Sequence, residues 1–141
     1  MIYNILGCQC IFLALPLHDA IVSCEITPEG PAYADDIGAD GSVCRYATNE
    51  RRATANITLK GHSKVHEQLS AIHAGDVSST NGLGVGAFLF LDGNGASKVA
   101  TDKAWILGMP AKTFAQAPSD VTWAIRLVMS SPLTWVVGGN G

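Results

Sequence analysis

Residues 53–72, ATANITLKGHSKVHEQLSAI, change their apolar period midway, and that switch limits the folds open to the chain. Ala53, Ala55, Ile57 and Leu59 alternate with Thr54, Asn56, Thr58 and Lys60, which predicts a strand with one buried and one wet face. After Gly61 and His62 the spacing becomes Val65, Leu69 and Ile72, steps of four and three that share one side of a helix. Ser63 is placed to cap this helix, Glu67 lies where the helix dipole favours an acid, and Gly75 is placed to stop it. A helix of about three turns is marginal alone, so it has to dock on a sheet.

The remaining segments supply strands for that sheet. Residues 20–27, AIVSCEIT, are rich in β-branched side chains and run up to Pro28. Residues 28–41, PEGPAYADDIGADG, mix prolines and glycines with Glu29, Asp35, Asp36 and Asp40, and predict a long exposed loop or an excursion hairpin of the kind that reaches a neighbour in an assembling protein. Residues 42–48 alternate, and NERR reads as a turn into the strand that follows, so those two strands are expected to pair. Asn81-Gly82 and residues 92–95, DGNG, are turn chemistry. Between them GVGAFLFL is so continuously apolar that burial on both faces is expected, either by the core or by another subunit. Further strands are expected within 98–109, at 121–129 (VTWAIRLVM) and at 133–137. The apolar run at 11–15 has no preceding Lys or Arg and is broken by polar residues upstream, so residues 1–17 are expected to form a strand or packing arm, not a leader or a membrane span. The expected fold is a single domain over 1–141, mainly β: an antiparallel β-sandwich or barrel with one flanking helix.

Composition bears on partners. Hydrophobic residues make up 48% and charged residues 15%, against an ordinary charged share of about a quarter. That shortage of polar cover points to permanent subunit contacts, the alternative being a compact monomer with an Ala- and Gly-rich surface. The net charge of -3 supplies no excess of Lys or Arg for tight binding to nucleic acid or a membrane surface.

Residues that could carry chemistry do not fall into catalytic or metal patterns. His62 and His66 are four apart, with His73 beyond, but no HExxH surrounds them, and they are expected to be solvated. Gly82, Gly84 and Gly86 open a strand and not a helix, unlike a dinucleotide loop. Asp92 has Lys103 at the twelfth position, where a calcium loop needs Glu. Asp35, Asp36 and Asp40 read as a solvated acidic loop, and Trp105, Trp123 and Trp135 as packing residues. Cys8, Cys10, Cys24 and Cys44 match no zinc spacing and are expected to be buried reduced thiols, with disulfides within or between subunits as the alternative. No enzymatic activity, metal or cofactor is expected.

Three stretches resemble the tail tube proteins of long-tailed bacteriophages, especially contractile-tailed ones. IGADGSVCRYATNERRATANITLKGHSKVHEQLSAI is similar to that family's Gly-Ala-Asp-Gly-Ser hairpin, alternating strand and helix; VTWAIRLVM to its late inner strand; VVGGN to its C-terminal close. The cysteine-bearing N-terminus and the short acidic loop depart from the pattern. The resemblance implies hexameric rings whose inner strands join into one continuous barrel, stacked into a hollow virion tube through which DNA is ejected without sequence-specific binding. It implies assembly in the host bacterial cytoplasm, with copies of the chain itself, a tail sheath protein, a tape-measure protein and baseplate or terminator proteins as partners, and no membrane. By analogy Thr54, Asn56, Thr58, Lys60, Thr122 and Arg126 face the lumen, while Glu29, Tyr33, Asp35, Asp36 and Asp40, with the N-terminal arm, meet neighbouring subunits. A tube protein of the type VI secretion kind, or a monomeric β-sandwich binding module, are the alternatives.

Overall fold

The computed structural model describes residues 2, 4–79, 82–129 and 135–139. Asn81 of the expected turn, residues 133 and 134 of the expected last strand, and residues 140 and 141 of the tail lie outside these. A 3-10 turn at Ile5–Gly7 precedes β1 (Cys8–Phe12) and β2 (Leu15–Pro16). The chain continues through β3 (Ile21–Pro28), β4 (Tyr33–Ile37), β5 (Val43–Ala47) and β6 (Arg52–Leu59) to the helix α1 (Val65–Ser78). Then come β7 (Gly86–Asp92), β8 (Lys98–Ile106), β9 (Val121–Val128) and β10 (Trp135–Val136). The protein is mainly β with antiparallel pairing and one helix, and among the described residues no helix is long and apolar enough to cross a membrane.

Eight strands form one sheet in the order β2-β1-β7-β8-β9-β6-β3, with β10 paired to β8 beyond the end of β9. The sheet has to curl. Laid flat, its edge strands β2 and β3 would stand about 29 Å apart at ~4.8 Å per strand, yet the link from Pro16 to Ile21 spans at most about 18 Å when fully extended. Curling brings one face of every long strand onto a common core that includes Cys10 and Phe12 of β1, Phe88 of β7, Ala104 of β8, Ile57 of β6 and Trp123 of β9. The 3-10 turn packs beside β3, next to the sheet's other edge.

The alternation that predicts β6 and β9 is the one observed: Ala53, Ala55, Ile57 and Leu59 are buried, as are Val121, Trp123, Ile125, Leu127 and Met129. Val65 and Leu69 of α1 are buried against the same core and Ile72 packs on it. The helix begins two residues after Ser63, whose hydroxyl accepts from Val65 N at 3.3 Å, and it runs through Gly75 to Ser78. Gly75 does not stop it, because the last turn is closed instead by the Ser78 hydroxyl, which donates to the Ala74 carbonyl at 2.8 Å.

One expected pairing changes. Val43–Ala47 pairs with Tyr33–Ile37 and not with β6, so residues 33–47 form a separate hairpin and NERR becomes one of its stalks. The turn explains this: Asp40 accepts from the backbone N and the hydroxyl of Ser42, and Gly41 takes φ +86, which favours glycine. Within one chain β7 is not buried on both faces; Phe88 and Asp92 are buried, Ala87 is exposed and the rest lie between. Of the strand or packing arm expected over residues 1–17, residues 8–12 are a strand: β1 lies between β2 and β7 with Cys8, Cys10 and Phe12 buried.

Candidate assembly surfaces

The outward face of β3, β6 and β9 gathers the polar residues singled out by the alternation. Register places Thr27, Thr54 and Arg126 in one row, Glu25, Asn56 and Ala124 in the next, and Ser23, Thr58 and Thr122 in a third. Thr58 and Thr122 hydroxyls lie 2.9 Å apart, a cross-strand hydrogen bond. Lys60 follows β6 and is exposed. Hydroxyls and an amide dominate this surface.

Arg126 is not a free cation. Its Nη1 lies 2.8 Å from Glu29 Oε1, and the Thr54 hydroxyl donates to the same carboxylate oxygen. Chiefly the Thr54 hydroxyl, and then Arg126, hold the Glu29 carboxyl below its ordinary pKa. Glu29, expected at a subunit contact, therefore has its carboxylate engaged within the chain.

Glu29 stands at the foot of the β4–β5 hairpin, whose stalks are tied to the sheet. Glu29 N donates to the Arg52 carbonyl at 3.1 Å, and Thr48 bridges to the other stalk, its hydroxyl donating to the Pro31 carbonyl at 2.5 Å. Glu50 receives Arg52 Nε at 2.9 Å and Nη2 at 3.0 Å; these bonds, with that from the Arg52 backbone, hold the Glu50 carboxyl down to about 2. Beyond the stalks the hairpin leaves the core: Ala34 is half-buried and every other strand residue is exposed. Tyr33, Asp35 and Ile37 share one face with Ala47, Arg45 and Val43 opposite them, while Asp36 turns to the other face across from Cys44. The Arg45 guanidinium sits 3.6 Å from the Tyr33 ring centroid. Asp35, Asp36 and Asp40 thus do not converge, and among the described residues no cluster of three metal-ligating side chains occurs.

Where the hairpin meets the body there is a cleft of about 640 Å³, lined by Tyr33 and Ala47 from the hairpin and by Pro28, Met129, Trp135 and Val137 from the sheet end. Sequence reasoning missed it, because its walls come from distant segments. It also missed the contacts of His66, which is half-buried: Trp123 Nε1–H donates to His66 Nδ1 at 3.0 Å, and Nε2 lies 2.8 Å from the Lys60 carbonyl. Trp123 packs in the core as expected.

None of the four cysteines is in a disulfide. Cys8 and Cys10 are buried and Cys24 half-buried; burial pushes the Cys10 thiol well up and Cys24 up to about 12, which disfavours the reactive thiolate. Cys44, expected to be buried, is exposed on the hairpin because β5 lies off the core.

No family model matches the chain. It is similar to structural protein ORF10 of Pseudomonas phage KPP10, 26% identical over 123 residues, an alignment that covers 87% of this chain and 68% of that protein.

Proposed function

We propose that this chain is a structural protein of a phage particle and, within it, the subunit of the tail tube. Copies close into hexameric rings, rings stack, and DNA leaves through the bore. The chain acts by assembly and not by catalysis. Its partners are other copies of itself, a tail sheath protein, a tape-measure protein, and baseplate or terminator proteins.

The exposed β4–β5 hairpin carries this reading, taken with the likeness to a phage structural protein. A two-stranded hairpin is marginal in water without a surface to pack on, and this one presents Tyr33, Ile37 and Val43 to solvent. A neighbouring subunit supplies the missing surface. β3 ends the sheet at a strand edge, which suits pairing across a ring. The outward face of β6 and β9 suits a bore wall, since Thr54, Asn56, Thr58 and Thr122 offer neutral groups and Arg126 is already paired with Glu29. Phosphates pass such a wall with few counterions displaced and little grip.

Deleting the gene from the phage that carries it tests the role. DNA-filled heads without tails are expected; particles with normal infectious tails would overturn the proposal.

A further inference from the structure

The two ends of the sheet differ, and each carries what the other lacks. β6 starts at Arg52 beside Val128 of β9 and finishes at Leu59 beside Val121. The hairpin and its cleft therefore sit at the Arg52 end, while residues 107–120, which join Ile106 to Val121, sit at the Leu59 end, about 25 Å away along the strands. A loop of this length without regular structure is uncommon in a compact domain unless it has a task.

This loop is almost wholly exposed and holds Leu107, Met109 and Phe114 in solvent, Phe114 at 88%. Lys112 Nζ stands 5.7 Å from the Phe114 ring centroid, so the projecting aromatic carries a cation beside it. At the other end, the cleft is walled by Tyr33, Ala47, Met129 and Trp135. The hairpin bears Asp35, Asp36 and Asp40 against Arg45, and the cleft lining adds Glu50, Arg51 and Arg52, four acids to three bases together.

We propose that Phe114 and Met109 of one copy seat in the cleft beneath the hairpin of the next, with Lys112 facing the hairpin carboxylates. This rests on the tube reading and names the contact that joins one copy to the next along the axis. Because knob and cleft occupy opposite ends, the contact is heterologous and propagates without closing, as an open filament requires. It also covers an apolar cleft that would otherwise stay wet.

Pelleting by ultracentrifugation over a concentration series tests it, with Phe114→Asp at the loop and Ala47→Trp, which fills the cleft from the other side. Both positions are exposed, so both variants should keep the wild-type circular dichroism. Each is expected to raise the critical concentration for polymer roughly tenfold or more, the scale of a buried aromatic anchor. Wild-type polymer with unchanged thresholds in both variants would overturn this contact and leave the tube reading standing. A wild-type chain that never pellets would overturn the tube reading, and this contact with it.

Discussion

The indole Nε1–H of Trp123 donates to Nδ1 of His66 at 3.0 Å, joining the helix to the strand beneath it. Since an indole can only donate, Nδ1 has to be bare, and Nε2 then carries the hydrogen given to the Lys60 carbonyl at 2.8 Å. Replacing His66 with Ala leaves the Trp123 N–H without its partner at the core boundary. His66→Ala is expected to destabilise by about 1–3 kcal/mol, read as a lower urea midpoint, with His66→Asn recovering part of the loss. An unchanged midpoint in His66→Ala would contradict the bond.

The two faces of the fold should respond oppositely to substitution. Leu69 of α1 is fully buried, so Leu69→Asp is expected to abolish folding, and Leu69→Ala to cost about 2–5 kcal/mol. Thr58 lies on the outward face, its hydroxyl paired with that of Thr122, so Thr58→Val should stay folded, with a change of about 1 kcal/mol or less. Circular dichroism melts of the purified variants decide this, and equal damage from Leu69→Asp and Thr58→Val would overturn the assigned faces.

Gly61 backs directly onto the main chain at Ser119, and an added Cβ would lie 2.0 Å from the Ser119 carbonyl oxygen, far inside van der Waals contact. Backbone cannot rotate aside as a flexible side chain can. Gly61→Ala is therefore expected to destabilise by about 1–3 kcal/mol through forced backbone shift, whereas Gly75→Ala, where nothing lies within 4 Å, should stabilise α1 slightly. Thermal unfolding of the two variants compares them directly; a Gly61→Ala melt matching wild type would refute the close approach.

The hairpin foot should be acid-sensitive only at low pH. Glu29 is held low mainly by Thr54 and Arg126, Glu50 down to about 2 by Arg52, and Asp40 low mainly by the Ser42 hydroxyl. Each binds a proton less readily in the folded state than in the unfolded chain. Their contribution is therefore complete above the ordinary glutamate value of 4.5 and is lost as pH falls through the folded values, down to about 2 for Glu50. NMR shifts of residues 29–54 should hold steady from neutral pH to about 4.5 and move below it. A transition of these residues centred near pH 6 would contradict the assigned partners.

What the sequence could disclose followed from local period. β6, β9 and the apolar stripe of α1 were legible because Ala53, Ala55, Ile57 and Leu59 repeat every second residue, and Val65, Leu69 and Ile72 at helical steps. Pairing was less so. Residues 43–47 alternate equally well toward β4 or β6, and the choice rests on Asp40 and Gly41 closing one turn while NERR becomes a stalk tied by Glu50 and Arg52. The outward polar row was visible, but the Glu29–Arg126 pairing that neutralises it joins segments far apart in the chain, as does the bond between His66 and Trp123. The cleft was invisible for the same reason: Tyr33, Met129 and Trp135, which line it together, are far apart in the chain.

The proposed tube requires that copies of the chain assemble end to end around a bore. Electron microscopy of the purified protein at rising concentration tests it most directly. Hollow tubes with a regular axial ring repeat and six-fold end views are expected. Isolated single particles at every concentration, with no rings and no axial stacking, would contradict the account.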